Sequence, residues 1–340
     1  MKAGLCLLAA FALVCAGGCG THLASTPSVG AGGGGLAQPL VVSAPVLGFA
    51  WDSKAATLRQ IDGVPGAAHV DASANTGDGF ALAVAADSHD YALLLDAKGA
   101  LYLATLAGGV PQQISAGPWS GVAISASGGY AVAYANAGSA PQLISGLPRQ
   151  PAFHTLDVQG MSVSTAAVSN DGTTLLAAHL SSGGTAVLAV PMGASAVRAM
   201  TVGTVGGMAF VPGTDRALVA DAASGAVTQL ASVNTAPSAS VVNGAKLAQP
   251  VGLDVSADGR WTLVANSSGA VLRIDLSGQA QPATAKCGCS PTTVATLSGA
   301  AFRLTEAGTA TGWMVDASGA APRVLFVPAL PEQKKAEGGQ

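Results

Sequence analysis

The strongest constraint on this chain is a phrase that it repeats. An apolar–small–apolar triplet leads into a polar turn, often Asp-Gly, and a second run of alternating apolar residues follows. The phrase reads Val122-Ala123-Ile124-Ser125 before Gly128-Gly129, and Ala166-Ala167-Val168-Ser169 before Asp171-Gly172. It returns as Met208-Ala209-Phe210 before Gly213 and as Leu253-Asp254-Val255-Ser256 before Asp258-Gly259. Weaker copies are Leu82-Ala83-Val84 before Asp87, Val294-Ala295-Thr296 before Gly299, and the degenerate Leu40-Val41-Val42-Ser43. The third residues of the triplets stand at 42, 84, 124, 168, 210, 255 and 296, so the intervals are 42, 40, 44, 42, 45 and 41 residues.

A period of roughly 40–45 residues holding four short strands is the spacing of a propeller blade. The expected fold is therefore all-β: a single β-propeller over residues 39–330, of seven blades with four antiparallel strands each. Six or eight blades stay open, because the first copy is faint. In the sixth copy the strands read Gly252–Ser256, Trp261–Asn266, Ala270–Leu276 and Pro282–Lys286, with hairpin turns at Asp258-Gly259 and Ser268-Gly269. Helical solenoids share such periods, but two-residue alternation and Gly-rich turns exclude them.

Composition agrees with stacked sheets. Charged residues make up 10% of the chain and aromatics 4%, while Gly numbers 45. Blades that pack face to face bury both sides, and crowding near the axis favours Ala, Gly and Val. The net charge of -3 supplies no basic patch, so nucleic acid is not an expected partner.

The Val-Ser-x-Asp-Gly phrase at 168–172 and 255–259 resembles that of the YVTN and WD40-like propellers. The resemblance spans about residues 39–330 and implies a fold, not an activity. Trp51-Asp52 is no WD40 signature, since no other copy repeats it. The stretch Leu47-Gly48-Phe49 to Pro65-Gly66, and the ending Phe302-Arg303-Leu304-Thr305 to Phe326-Val327-Pro328, are similar to those of bacterial envelope propellers of the lipoprotein type. That similarity implies a location and no chemistry.

The N-terminus points to export. Lys2, an apolar run from Leu5 to Val14 and a small-residue exit make residues 1–18 a signal peptide. Ala16-Gly17-Gly18-Cys19 resembles a bacterial lipobox, which would place a lipid on Cys19; Ala16 departs from the usual Leu. A plain secretory signal is the alternative. Past Val14 no apolar run comes near the ~20 residues needed to span a bilayer. Residues 19–38, rich in Gly, Ser and Pro, read as a flexible linker, and 331–340 as a disordered tail. The expected location is the bacterial cell envelope, on the periplasmic or surface face, with the chain a monomer.

Aligned copies place one polar residue at the end of each second strand: Asp52, Asp96, Asn136, His179, Asp221, Asn266 and Glu306. Those turns share one propeller face, so the seven form a candidate binding rim. The competing reading is hairpin chemistry, in which Asp and Asn bond their own turn backbone. The Asp-Gly turns at 171–172 and 258–259, with Asp87 and Asp215, fall on the opposite face and lack calcium-loop spacing. No metal site and no cofactor are expected. Cys287-Gly288-Cys289 reads as a local disulfide rather than a metal pair, since two thiolates leave a zinc site short of ligands.

No G-x-S-x-G elbow, P-loop or H-E-x-x-H helix occurs, and no catalytic residue is assigned. The expectation is a non-catalytic, lipid-anchored envelope platform that binds a protein or polymer. The alternative is a propeller enzyme or small-ligand binder, lactonase- or lyase-like, using the channel mouth.

Overall fold

A computed structural model describes residues 44–330 except 74–76, 78, 137–138 and 308–311. The signal peptide, Cys19, the linker, the Leu40–Ser43 copy and the C-terminal tail lie outside the described residues. The described chain is all β, in seven sheets that each run consecutively along the sequence.

Blade one comprises β1 (Val46–Asp52), β2 (Thr57–Val64) and β3 (Ala67–Ser73). Blade two has β4 (Phe80–Ala85), β5 (Tyr91–Asp96), β6 (Leu101–Thr105) and β7 (Gln112–Ser115). Blade three has β8 (Gly121–Ile124), β9 (Tyr130–Tyr134), β10 (Gln142–Ser145) and β11 (Ala152–Thr155). Blade four has β12 (Val163–Val168), β13 (Thr174–His179), β14 (Thr185–Val190) and β15 (Val197–Val202). Blade five has β16 (Val205–Phe210), β17 (Ala217–Asp221), β18 (Ala226–Ala231) and β19 (Ser238–Lys246). Blade six has β20 (Pro250–Val255), β21 (Trp261–Asn266), β22 (Ala270–Asp275) and β23 (Ala283–Lys286). Blade seven has β24 (Pro291–Thr296), β25 (Ala301–Glu306), β26 (Gly312–Asp316) and β27 (Arg323–Val327). Neighbouring strands within each sheet pair antiparallel, giving the expected seven-bladed propeller.

Six of the seven triplet anchors end, or nearly end, the innermost strand of a sheet; the seventh, Val42, is outside the described residues. The middle strands are buried on both faces, and this is why they read as unbroken apolar runs: β14 and β21 are buried at every residue. Each blade's hydrophobic side chains lock onto those of the next. Leu175 and Val187 of blade four, for instance, share a cluster with Met208 and Val219 of blade five.

The recurring turn phrase has a local explanation. The Ser169 and Ser256 hydroxyls donate to Asp171 and Asp258, and those carboxylates accept the backbone N–H of Thr173 and Arg260 at 3.0 Å. Gly172 and Gly259 close the two turns at φ 84 and 70, a left-handed conformation that side chains oppose. A buried aromatic–cation group then ties blade six to blade seven. Arg273, 2% exposed, lies 4.3 Å from the Trp261 ring centre and donates to the carbonyls of Ala317, Gly319 and Ala320.

The ring closes through main chain. Val70 of β3 donates its N–H to Pro328 and accepts from the N–H of Leu330, each at 2.9 Å, so blade one is clasped to the strand that leaves blade seven.

Around the axis the innermost strands nearly touch. A Cβ built on Gly207 would lie 2.4 Å from the Leu253 nitrogen, and one on Gly252 would lie 2.5 Å from the Val294 nitrogen. The atoms in the way are backbone, so they cannot step aside as a flexible side chain would. Gly252→Val should therefore lower stability to urea by about 3 kcal/mol, the scale of severe overpacking. An unchanged unfolding midpoint in that variant would show that these strands sit farther apart.

Candidate functional site

Two regions qualify: the rim of turns after the second strands, and the cavity at the hub. The rim residues are placed by the hairpins that they end. Asp96, His179, Asp221, Asn266 and Glu306 are the last residues of β5, β13, β17, β21 and β25, and Asn136 follows β9 by two residues. Asp52 ends β1, the first described strand of its sheet; the Leu40–Ser43 copy, expected to precede it, lies outside the described residues. Its turn is nonetheless equivalent, since Asp52 and Glu306 line one small cavity between blades one and seven.

Most of these side chains are committed to backbone. Asp52 accepts the N–H groups of Lys54 and Ala55 and pairs with Arg59 at 2.9 Å. Asp96 accepts from Lys98 and Ala100, both at 2.8 Å. Asn266 accepts from Ser268 and Ala270 and donates to the Ala248 carbonyl at 3.0 Å. Asp221 accepts from Ala223, Thr204 and the Ser224 hydroxyl. Burial pushes the Asp221 carboxyl up, but these hydrogen bonds outweigh it and hold the group below the usual carboxylate range. Glu306 accepts the Ser290 N–H at 2.7 Å. His179 and Asn136 are exposed and use backbone atoms for their hydrogen bonds. Four of the seven rim residues, Asp52, Asp96, Asp221 and Asn266, thus cap their own turns, and Glu306 instead holds the loop before β24.

Cys287 and Cys289 form a disulfide between β23 and β24. Both are buried in the cluster that joins blades six and seven, with Trp261, Phe302 and Val315.

The hub holds a cavity of about 580 Å³, lined by innermost strands of blades two to seven, by Gly48, Phe49 and Trp51 of β1, and by Arg303 and Thr305 of β25. Most of this wall is Ala, Val, Leu and Gly, as an axial position demands. Besides Tyr134, two acids, a histidine and an arginine interrupt it. Asp254, in β20, accepts the Thr296 N–H at 2.7 Å and the Val255 N–H at 2.8 Å; burial nevertheless raises its carboxyl above the ordinary value. Asp87 lies in the turn between β4 and β5, at the end of the channel away from the rim. It is open to water at the mouth yet enclosed by protein on most sides. Its carboxyl is pushed up to about 7, by burial first and then by the charge of Asp254. Beside it, His89 packs edge-on against Phe49 with ring centres 5.5 Å apart, and burial lowers its proton affinity despite Asp90. Arg303 donates to the Phe49 carbonyl at 3.1 Å and to the Thr305 hydroxyl at 2.8 Å, and burial pulls its guanidinium down to about 10.

Sequence reasoning sought function in the turns and missed this hub cluster. A signal existed for Asp254. The middle residue of the triplet is Ala83, Ala123, Ala167, Ala209 and Ala295 in five other copies, so an acid at that position breaks the pattern. Arg303 and His89 had no such marker, because they come from a second strand and a turn that reach the hub only in the folded ring.

The Asp87 environment has a consequence for stability. The folded-state value lies above that of an unfolded aspartate, so the ionised carboxylate opposes folding. The opposition is absent below about pH 4, grows as pH rises, and is complete above about pH 7. Asp87→Asn should unfold at higher urea than the parent at pH 8 and at the same urea at pH 4. Equal midpoints at both pH values, or a carboxyl carbon titration centred near pH 4 by NMR, would contradict this account.

No family model and no curated protein matches the sequence. Solved structures match the fold. U3-55K superposes with a TM-score of 0.54 at 14% identity, covering 73% of this chain and 81% of that one. The WD40 repeats of RRP9 give a TM-score of 0.52 at 14% identity, covering 73% and 80%. Hydrazine synthase of Kuenenia stuttgartiensis gives 0.52 at 11% identity, covering 86% and 99%. At these identities the likeness is one of architecture, and the chain has the fold of a seven-bladed, WD40-like β-propeller.

Proposed function

We propose that this chain is a non-catalytic docking platform, exported and held in the cell envelope by a lipid on Cys19, that binds a protein or polymer partner across its rim face. The observation that carries this reading is the arrangement of the rim. Its polar groups are spread one per blade, and four of the seven are fixed in their turns. A broad, rigid, polar face of that kind suits contact with a large partner. Chemistry would instead call for acids and bases converging on one point. The lipobox-like Ala16-Gly17-Gly18-Cys19 and the Gly-rich residues that follow support the tethered version.

A second reading has one observation in its favour. The hub cavity carries Arg303 at its wall and Asp87 and Asp254 toward one mouth. A small polar ligand could use both, and the channel would then be the site.

The test is a cross-linking pull-down of the full chain from membranes, beside Cys19→Ala and a His179→Ala/Glu306→Ala rim variant. The platform reading expects one partner retained by the parent, lost from Cys19→Ala, and weakened at least about tenfold by the rim variant, the loss of a single binding hot spot. Undiminished capture by the rim variant would overturn it. Capture sensitive to Arg303→Met instead would move the site to the hub.

A further inference from the structure

The wall of the hub cavity carries a positive charge that no neighbouring acid offsets. Arg303 lies within β25, and its guanidinium crosses to blade one, where Nη1 donates to the Phe49 carbonyl at 3.1 Å. Nη2 donates to the Thr305 hydroxyl at 2.8 Å, so both acceptors are neutral oxygens. Among the described residues Arg303 forms no ion pair. Asp52 and Glu306 line a smaller cavity beside it but are engaged elsewhere, Asp52 with Arg59 and Glu306 with the Ser290 N–H. Burial is the sole cause of its lowered proton affinity, whereas the charge of Asp275 offsets part of the burial of Arg273.

Enclosing a guanidinium without a counter-charge opposes folding. Arg303 keeps some exposed surface although protein surrounds it, so that surface is turned to the cavities it lines. The larger of these, at about 580 Å³, has the size of a small-molecule site. Phe49, Trp51, Tyr134 and Phe210 add aromatic groups to a wall that is otherwise mostly Ala, Val, Leu and Gly. Asp87 and Asp254 line the same cavity and disfavour a second negative charge on whatever enters it.

We propose that the hub binds a small monocarboxylate with an apolar body, its carboxylate paired with Arg303 and its body laid against the Phe49–Trp51 side of the wall. A planar carboxylate matches the guanidinium fork, and apolar surroundings strengthen the pair. The proposal rests on the second reading above, in which the hub is a ligand site, and is independent of any partner docked at the rim.

The experiment titrates the full chain by calorimetry with three probes of one shape and different charge: sodium benzoate, neutral benzamide and benzylammonium chloride. One equivalent of benzoate should bind, at least about tenfold more tightly than benzamide, the scale of a charge-assisted hydrogen bond. Arg303→Met should abolish that preference, and Arg303→Lys, which keeps the charge but not the fork, should restore part of it. The comparison of probes uses the parent alone, so it decides the matter even where Arg303→Met does not fold. Binding of benzylammonium in preference to benzoate would leave the hub a ligand site and overturn the assignment of a carboxylate. Binding of none of the three would remove the hub reading with it, and benzoate binding undiminished in Arg303→Met would overturn the role given to the arginine.

Discussion

The ring depends on how closely its innermost strands approach one another. Blades five, six and seven meet through Gly207 and Gly252, with no side chain between the strands. At Asp254 the contact becomes a bonded one, because its carboxylate takes the Thr296 N–H and the Thr296 hydroxyl donates to the Val255 carbonyl at 2.7 Å. On the other side of the hub the spacing is set by larger groups. Gly121 makes room for the ring of Tyr134, which reaches the cavity wall with Trp51 and Phe49. The cavity is therefore bounded by a tight sector and a looser one. Its ionisable groups sit where the apolar lining is interrupted.

The same economy governs charge. A chain with so few charged residues uses many of its carboxylates on its own backbone. Asp52, Asp96, Asp171, Asp221, Asp258, Asp275 and Asp316 each accept an N–H of the turn they begin. These bonds fix the hairpins and leave little free charge to scatter over the faces. Arginines do the work between blades. Arg273 satisfies three carbonyls of blade seven from blade six, and Arg303 reaches from blade seven to the Phe49 carbonyl of blade one. Long, permanently charged side chains with several donors are suited to bridging sheets that share no ladder.

Much of the architecture was legible because each blade presents the same packing problem. Val168, Phe210, Val255 and Thr296 occupy equivalent ends of inner strands, and the Ser-x-Asp-Gly turn recurs wherever its serine and aspartate can bond each other. The strands of blade six were readable to within two residues at each end, since burial on both faces leaves an apolar run with polar stops. In blade one three strands are described, and the copy expected to supply the first strand, Leu40–Ser43, lies outside the described residues. The hub cluster was only partly legible: Asp254 breaks the Ala pattern of the triplets, but ring closure brings Arg303 and His89 to the hub, and their linear spacing does not encode that. Cys287-Gly288-Cys289 lay between these cases: the spacing allowed two chemistries, and the buried disulfide selects one.

The main-chain clasp between Val70 and residues 328–330 makes the repeat count indivisible. An open array of repeats can lose or gain a unit at its end and keep the remaining interfaces intact. In a closed circle, every blade is an interior unit, and removing one changes the angle at which all the others must meet. Gene duplication or deletion of a single repeat here would thus be felt at every interface at once. The chain's length is held by geometry rather than by the merits of any one blade.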